Sequence, residues 1–417
     1  MKKLLFFSLA VVLIILALLL VGCSKEPEKE PAAECSHSYE KTVKNPTCTK
    51  AGEEKFSCTK CDYYYTTKIE AIGIGVHNVQ NGVCTVCGGK ESTPGLEYSQ
   101  NDDGTYKVTG IGTCTETDIV IGIHNNRDVT AIGYEAFYGC KWLTSIVISK
   151  GVTTIGNYAF YNCTSLTSID LPDSLTTIGD VVFYKCTSLT SIELPDSLTT
   201  IGVSAFSYCT SLTSITVAEG NENYKSIDGN LYSKDGKTLI RYAIGKTDTT
   251  FTVPEGVTTI GEHAFYKCTS LTSIELPDSL TTIGYEAFCK CTSLASIELP
   301  DSLTTIGGFA FAECTSLTNI ELPDSLTIIG KKAFYWCTSL TSIELPDNLT
   351  TIGVSAFYKC TSLTSIVIPE GVTTIGSDAF YGCESLTIYC EVAEKPSGWS
   401  NSWNSSGRPV VWGYTGE

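Results

Sequence analysis

The string CTSLTSIELPDSLTTIG occupies residues 186–202 and returns, letter for letter, at residues 268–284. Working outward from it, cysteines fall at 140, 163, 186 and 209, then at 268, 291, 314, 337, 360 and 383, with an interval of 23 within each run. The unit reads L-x-x-I-x-L-P-x-x-L-T-x-I-G-x-x-A-F-x-x-C. Ten copies keep the Leu column from Leu143 to Leu386, the Ile-Gly pair from Ile132-Gly133 to Ile375-Gly376, and the Phe from Phe137 to Phe380. Thr190-Ser191-Ile192-Glu193-Leu194 alternates outward polar with inward apolar residues, which predicts a short strand buried on one face. Pro195 cannot donate to a ladder and ends it. Gly202 permits positive φ or a close backbone approach. Phe206 and Cys209, three apart, fit one side of a single helical turn. No unit alone can bury its Ile, Leu and Phe. Stacked units can, with parallel strands about 4.8 Å apart. The expected fold is a mainly β repeat solenoid over residues 119–390.

The L-x-x-I-x-L core resembles the leucine-rich repeat, and the 23-residue unit with A-F-x-x-C and L-P-D resembles the BspA-like group of bacterial surface proteins. The resemblance covers roughly residues 95–415. It implies a right-handed coil and adhesion to host, matrix or other cells through bound extracellular proteins. Val182 in the Ala place, Ala218 in the Pro place and the second cysteine Cys289 depart from the pattern. The interval from Cys209 to Cys268 is 59, one repeat plus 36 residues. The extra stretch, about residues 218–250, carries apolar runs around Lys234-Asp235-Gly236-Lys237, which predict a β-hairpin in an edge bulge or an outsized coil. Residues 91–118 and 391–417, the latter with Trp399, Trp403 and Trp412, read as caps for the open strand edges. The Trp cluster is also open to reading as an aromatic binding patch.

Outward strand positions form a Ser-rich column from Ser145 to Ser365 and an acidic column of Asp170, Glu193, Glu275, Glu298, Glu321 and Glu344. The acidic column is either a solvated face or a strip for a basic protein patch or for Ca2+, whose ligands are oxygens. The cysteine column reads as small buried apolar groups. The four histidines lie scattered, two before the repeats, then His124 and His263, and no phosphate loop or nucleophile elbow appears. The chain is therefore not expected to be an enzyme. A net charge of −17 argues against nucleic acid as a partner.

Residues 35–90 hold two Cys-x-x-Cys pairs, Cys58/Cys61 and Cys84/Cys87. Such pairs aim thiolates at one tetrahedral ion, so a zinc-ribbon-like module with structural zinc is expected. A ligand set of Cys48, Cys58, Cys61 and His37 or His77 is also open, as are disulfides, because the chain reads as exported. Before it, Lys2-Lys3 and the apolar run Leu4 to Val21 read as a signal peptide over residues 1–22, with an uncleaved membrane anchor as the alternative. Leu20-Val21-Gly22-Cys23 resembles a bacterial lipobox, which implies lipidation of Cys23 and a membrane anchor, with residues 23–34 as an extended Pro/Glu spacer. The expected role is a surface-anchored, extracytoplasmic binding protein; an envelope-organising protein or a glycan binder is the alternative.

Overall fold

The computed structural model describes the strands Tyr39–Lys44, Gly52–Cys58 and Tyr64–Ile69, residues 79–84 and residues 90–416. The chain divides into two units, residues 1–72 and 73–417. In the first, the three strands form an antiparallel sheet in chain order, pairing Tyr39 with Cys58 and Gly52 with Ile69.

The second unit is a β solenoid of about 13 coils repeating near every 23 residues, with no helix among the described residues. Each coil contributes to two parallel ladders. One is built from the Ser-Ile segments, where Ser145 faces Ser168 and Ile146 faces Ile169. The other is built from the two-residue Thr-Ile segments, such as Thr177–Ile178 against Thr200–Ile201. The segment after Pro195 is thus a second strand and not only a turn. Its glycine serves close approach: a Cβ on Gly202 would lie 2.4 Å from the Gly179 carbonyl carbon of the coil before.

The Ala-Phe-x-x-Cys piece is a pair of tight turns, which corrects the expected helical turn. Ala136, Tyr138 and Cys140 donate three residues back, to Gly133, Glu135 and Phe137. The residues between them, Glu135, Phe137 and Gly139, donate forward to Asn157, Ala159 and Tyr161 of the next coil. A helix would aim all these N–H groups along its own axis. Here alternate groups leave the coil, which requires left-handed backbone at two places: in one coil Val181 and Lys185 have φ of 58° and 60°.

Between the ladders and the turns runs the core. The Phe rings stack face on face, with centroids 5.2 Å apart for Phe137–Phe160 and 5.5 Å for Phe311–Phe334. Eight of the ten column thiols also reach a Phe carbonyl oxygen of the coil before: Cys314 Sγ lies 3.1 Å from that of Phe288, and Cys337 Sγ 3.1 Å from that of Phe311. The ten cysteines of the column form no disulfide and are buried as expected. Threonine hydroxyls occupy carbonyls along the edges, as Thr176 Oγ1 does with Thr153 O at 3.0 Å.

Between the strands Ser214–Val217 and Thr250–Thr252 the chain makes one outsized coil. Its strands Asn230–Ser233 and Thr238–Arg241 form the predicted hairpin, and the second of them joins the Thr-Ile ladder beside Thr259–Ile260. Tyr242 takes the place of a Phe, 5.2 Å from Phe265. The core parts here: Leu231 packs with the residues before it, and the adjacent Tyr232 with those after it. A hairpin of Glu97–Gln100 and Tyr106–Gly110 begins the stack, with His124 stacked on Tyr98 at 3.7 Å. At the other end Trp399 and Trp403 are buried, and Trp399 Nε1 donates to Val372 O at 2.9 Å. Trp412 stays exposed.

Candidate binding surfaces

All six acidic-column residues are exposed on the Ser-Ile face. The register sets Glu321 directly against Glu344 and Glu275 beside Thr252, whose hydroxyl donates to Glu275 Oε2 at 2.7 Å. Glu275, Glu298, Glu321 and Glu344 follow one another coil by coil, whereas the outsized coil separates them from Asp170 and Glu193. Sequence reasoning passed over a second acidic column, the Asp of Leu-Pro-Asp: Asp173, Asp196, Asp278, Asp301, Asp324 and Asp347 are exposed too. Their constancy in the repeat was the available signal. Between the strands Ser168–Asp170 and Ser191–Leu194, which form no continuous ladder, a groove of about 310 Å³ opens. Asp170, Asp173 and Glu193 line it with Ile169, Leu171 and Pro195. Acidic walls over apolar side chains suit a basic side chain with an aliphatic stem.

The turn face carries aromatic rings and lysines, also unread from the sequence although Tyr follows Phe in most copies. Tyr138, Tyr161 and Tyr184 stack at 4.7 and 4.9 Å, and Tyr335, Tyr358 and Tyr381 at 4.9 Å each. Lys359 Nζ sits 4.2 Å from the Trp336 ring centroid, within cation–π range. These two, with Tyr381 and Arg408, line a groove of about 590 Å³. The Arg408 Nε is buried there without an acceptor.

At the outsized coil, repeat positions far apart in sequence meet. Ser204 Oγ lies 3.3 Å from His263 Nδ1, and His263 Nε2 lies 3.2 Å from Glu286 Oε2. That hydrogen bond holds the Glu286 carboxyl below its usual range, with Tyr285 adding to the effect. Tyr208 and Tyr266 share a hydroxyl contact of 2.5 Å. The Arg241 guanidinium is buried without a carboxylate, donating to the His263 carbonyl and to Ser207 Oγ; burial pulls its pKa down to about 10.

Among the described residues no three of His, Cys, Asp and Glu gather where a metal ion could sit. Cys84 is buried at the end of the strand Val83–Cys84, and Cys58 ends Gly52–Cys58. Cys61 and Cys87, the other two expected zinc ligands, lie outside the described residues, as do Cys48, His37, His77, the signal segment and Cys23.

A scan of protein families matches the BspA type leucine-rich repeat region, in six copies, to residues 130–252 and 242–330. Among solved structures, the pneumococcal vaccine antigen PcpA is similar at 22% identity and a TM-score of 0.60, covering 90% of this chain and 99% of its own. A leucine-rich repeat protein from Eubacterium ventriosum is similar at 24% identity and a TM-score of 0.58, covering 78% of this chain and 95% of its own. No curated protein matches.

Proposed function

We propose, from the premise that the repeat region at residues 130–330 belongs to the BspA-type leucine-rich repeat family, that the chain is a surface-exposed protein-binding scaffold that attaches its cell to extracellular proteins. One observation carries the reading: the Ser-Ile face bears an exposed carboxylate on six of its coils, and none of the six forms an ion pair. Leaving such a row of charges unneutralised favours a partner with a basic patch, and electrostatic complementarity speeds encounter. Lipidation of Cys23 would hold the body to the membrane, and zinc on Cys58, Cys61, Cys84 and Cys87 would fix the small module. Metal analysis of the purified chain and lipid labelling of a Cys23→Ala variant test those two parts.

The main experiment is capture of matrix and cell-surface proteins by the full chain and by a variant with Glu275, Glu298, Glu321 and Glu344 changed to Gln. The expected result is at least a tenfold loss of capture and a loss of its salt dependence. Unchanged capture would remove the acidic face from the account. A second reading, glycan binding, is favoured by the Trp336, Lys359, Tyr381 and Arg408 groove, where rings and cations suit an acidic sugar. Binding on a glycan array that disappears in Trp336→Ala would decide for it.

A further inference from the structure

We propose that the break at the outsized coil is a hydrolytic site for short-chain acyl esters, with Ser204 as nucleophile, His263 as its base and Glu286 as the positioning carboxylate. Binding through the acidic face does not depend on it. The three residues hold the same place in their repeats, so stacking alone lines them up: Ser204 Oγ to His263 Nδ1 at 3.3 Å, His263 Nε2 to Glu286 Oε2 at 3.2 Å. A Glu286 carboxylate accepting from Nε2 leaves Nδ1 free to take the serine proton, the tautomer that a base requires. His263 is fixed from several sides. Its N–H donates to Tyr285 O, Arg241 binds its carbonyl, and the Tyr266 and Tyr285 rings flank its imidazole at 5.7 Å each.

The same break frees backbone donors. In the preceding coil, Val181 and Phe183 donate to Val203 and Ala205 of the next. The corresponding N–H groups of Ser204 and Phe206 find no acceptor among the described residues, because the outsized coil displaces the one that would follow. Unpaired N–H groups on the nucleophile and two residues after it can serve a developing oxyanion. A cleft of about 230 Å³ adjoins them, lined by Ser204, Ala205, Phe206, Leu231, Ile240 and Arg241. Its size and apolar side chains admit a short acyl chain.

The chemistry balances with water alone. Ser204 Oγ bonds to the acyl carbon as its proton passes to His263 Nδ1. The ester C–O bond breaks, and the leaving alcohol takes that proton. Water, deprotonated by the same imidazole, then releases the carboxylic acid and restores the serine.

The test uses the full chain with a fluorophosphonate probe, located by peptide mass mapping, and hydrolysis of p-nitrophenyl butyrate. The expected result is one adduct, on Ser204, absent in Ser204→Ala. Labelling and turnover should fall about a hundredfold or more in His263→Gln. Glu286→Gln should keep the thermal midpoint and KM but lower kcat about a hundredfold, because the imidazole loses the carboxylate that orients it; a merely structural Glu286 would leave kcat in place. A folded chain with no adduct on Ser204, or one labelled equally fast in His263→Gln, overturns the proposal and leaves the binding reading untouched.

Discussion

Single residues bear the strain of the turns. Twenty repeat positions, two in each of ten coils, adopt positive φ, and most are not glycine. Left-handed backbone costs an ordinary residue about 1–2 kcal/mol, more if it is β-branched, and Asn tolerates it best. Val181, with φ of 58°, is the costliest type in its column. Val181→Asn is therefore expected to raise stability by about 0.5–1 kcal/mol, read from the denaturant midpoint; a fall would show that its partial packing outweighs its backbone. The buried thiols set an alkaline limit. Burial pushes Cys140 up to about 11 and Cys209 and Cys337 up to about 12, from an ordinary value of 9.0. Above pH 9 the unfolded chain sheds protons that the folded one keeps, so this contribution to stability is complete below pH 9 and is lost as pH rises toward 12. Thermal midpoints across that window should fall steadily, and thiol reagents at pH 8 should leave these cysteines unmodified until the protein unfolds.

At the scale of elements, what the sequence discloses depends on how many residues report each feature. The 23-residue spacing and the interior Leu, Ile and Phe columns repeat ten times and were plain. The second strand is two residues long, as at Thr177–Ile178, too short for alternation to show. The paired turns left no compositional trace, because bonds from one coil to the next impose left-handed backbone on Lys, Phe and Trp alike. The Ser204–His263 contact was out of reach, since it depends on the outsized coil admitting its neighbours to one another on the turn side alone. Of the candidate surfaces, the acidic column was legible and the tyrosine ladder was overlooked. The outsized coil makes a prediction at this scale. Excising residues 214–249 places Thr250-Phe251-Thr252-Val253 where Ser214-Ile215-Thr216-Val217 stood, and Cys268 then follows Cys209 by the common interval. Because Leu231 and Tyr232 now divide the core, the intact chain should unfold in two calorimetric steps and the excised chain in one. A single step in both would mean that the hairpin couples the two cores fully.

Over the whole molecule, 45 acidic against 28 basic residues leave a charge of −17, much of it in columns along one ladder. Like charges held a strand spacing apart repel, and salt screens them. The solenoid should therefore melt at a higher temperature in physiological salt than at low ionic strength, and the shift should shrink in the variant with four Glu changed to Gln. An unchanged midpoint would show the carboxylates to be fully hydrated and mutually indifferent. The glycine column has a further effect. Except at the first coil and just after the outsized one, each glycine of the column fits against the glycine of the coil before, as Gly330 does with Gly307. A gene slipping by one whole unit during replication would hand the protein an extra storey that meets both neighbours as the old ones met each other. Descendants could thus differ in height while keeping every floor plan, and the length of the stack would become heritable variation at almost no structural risk.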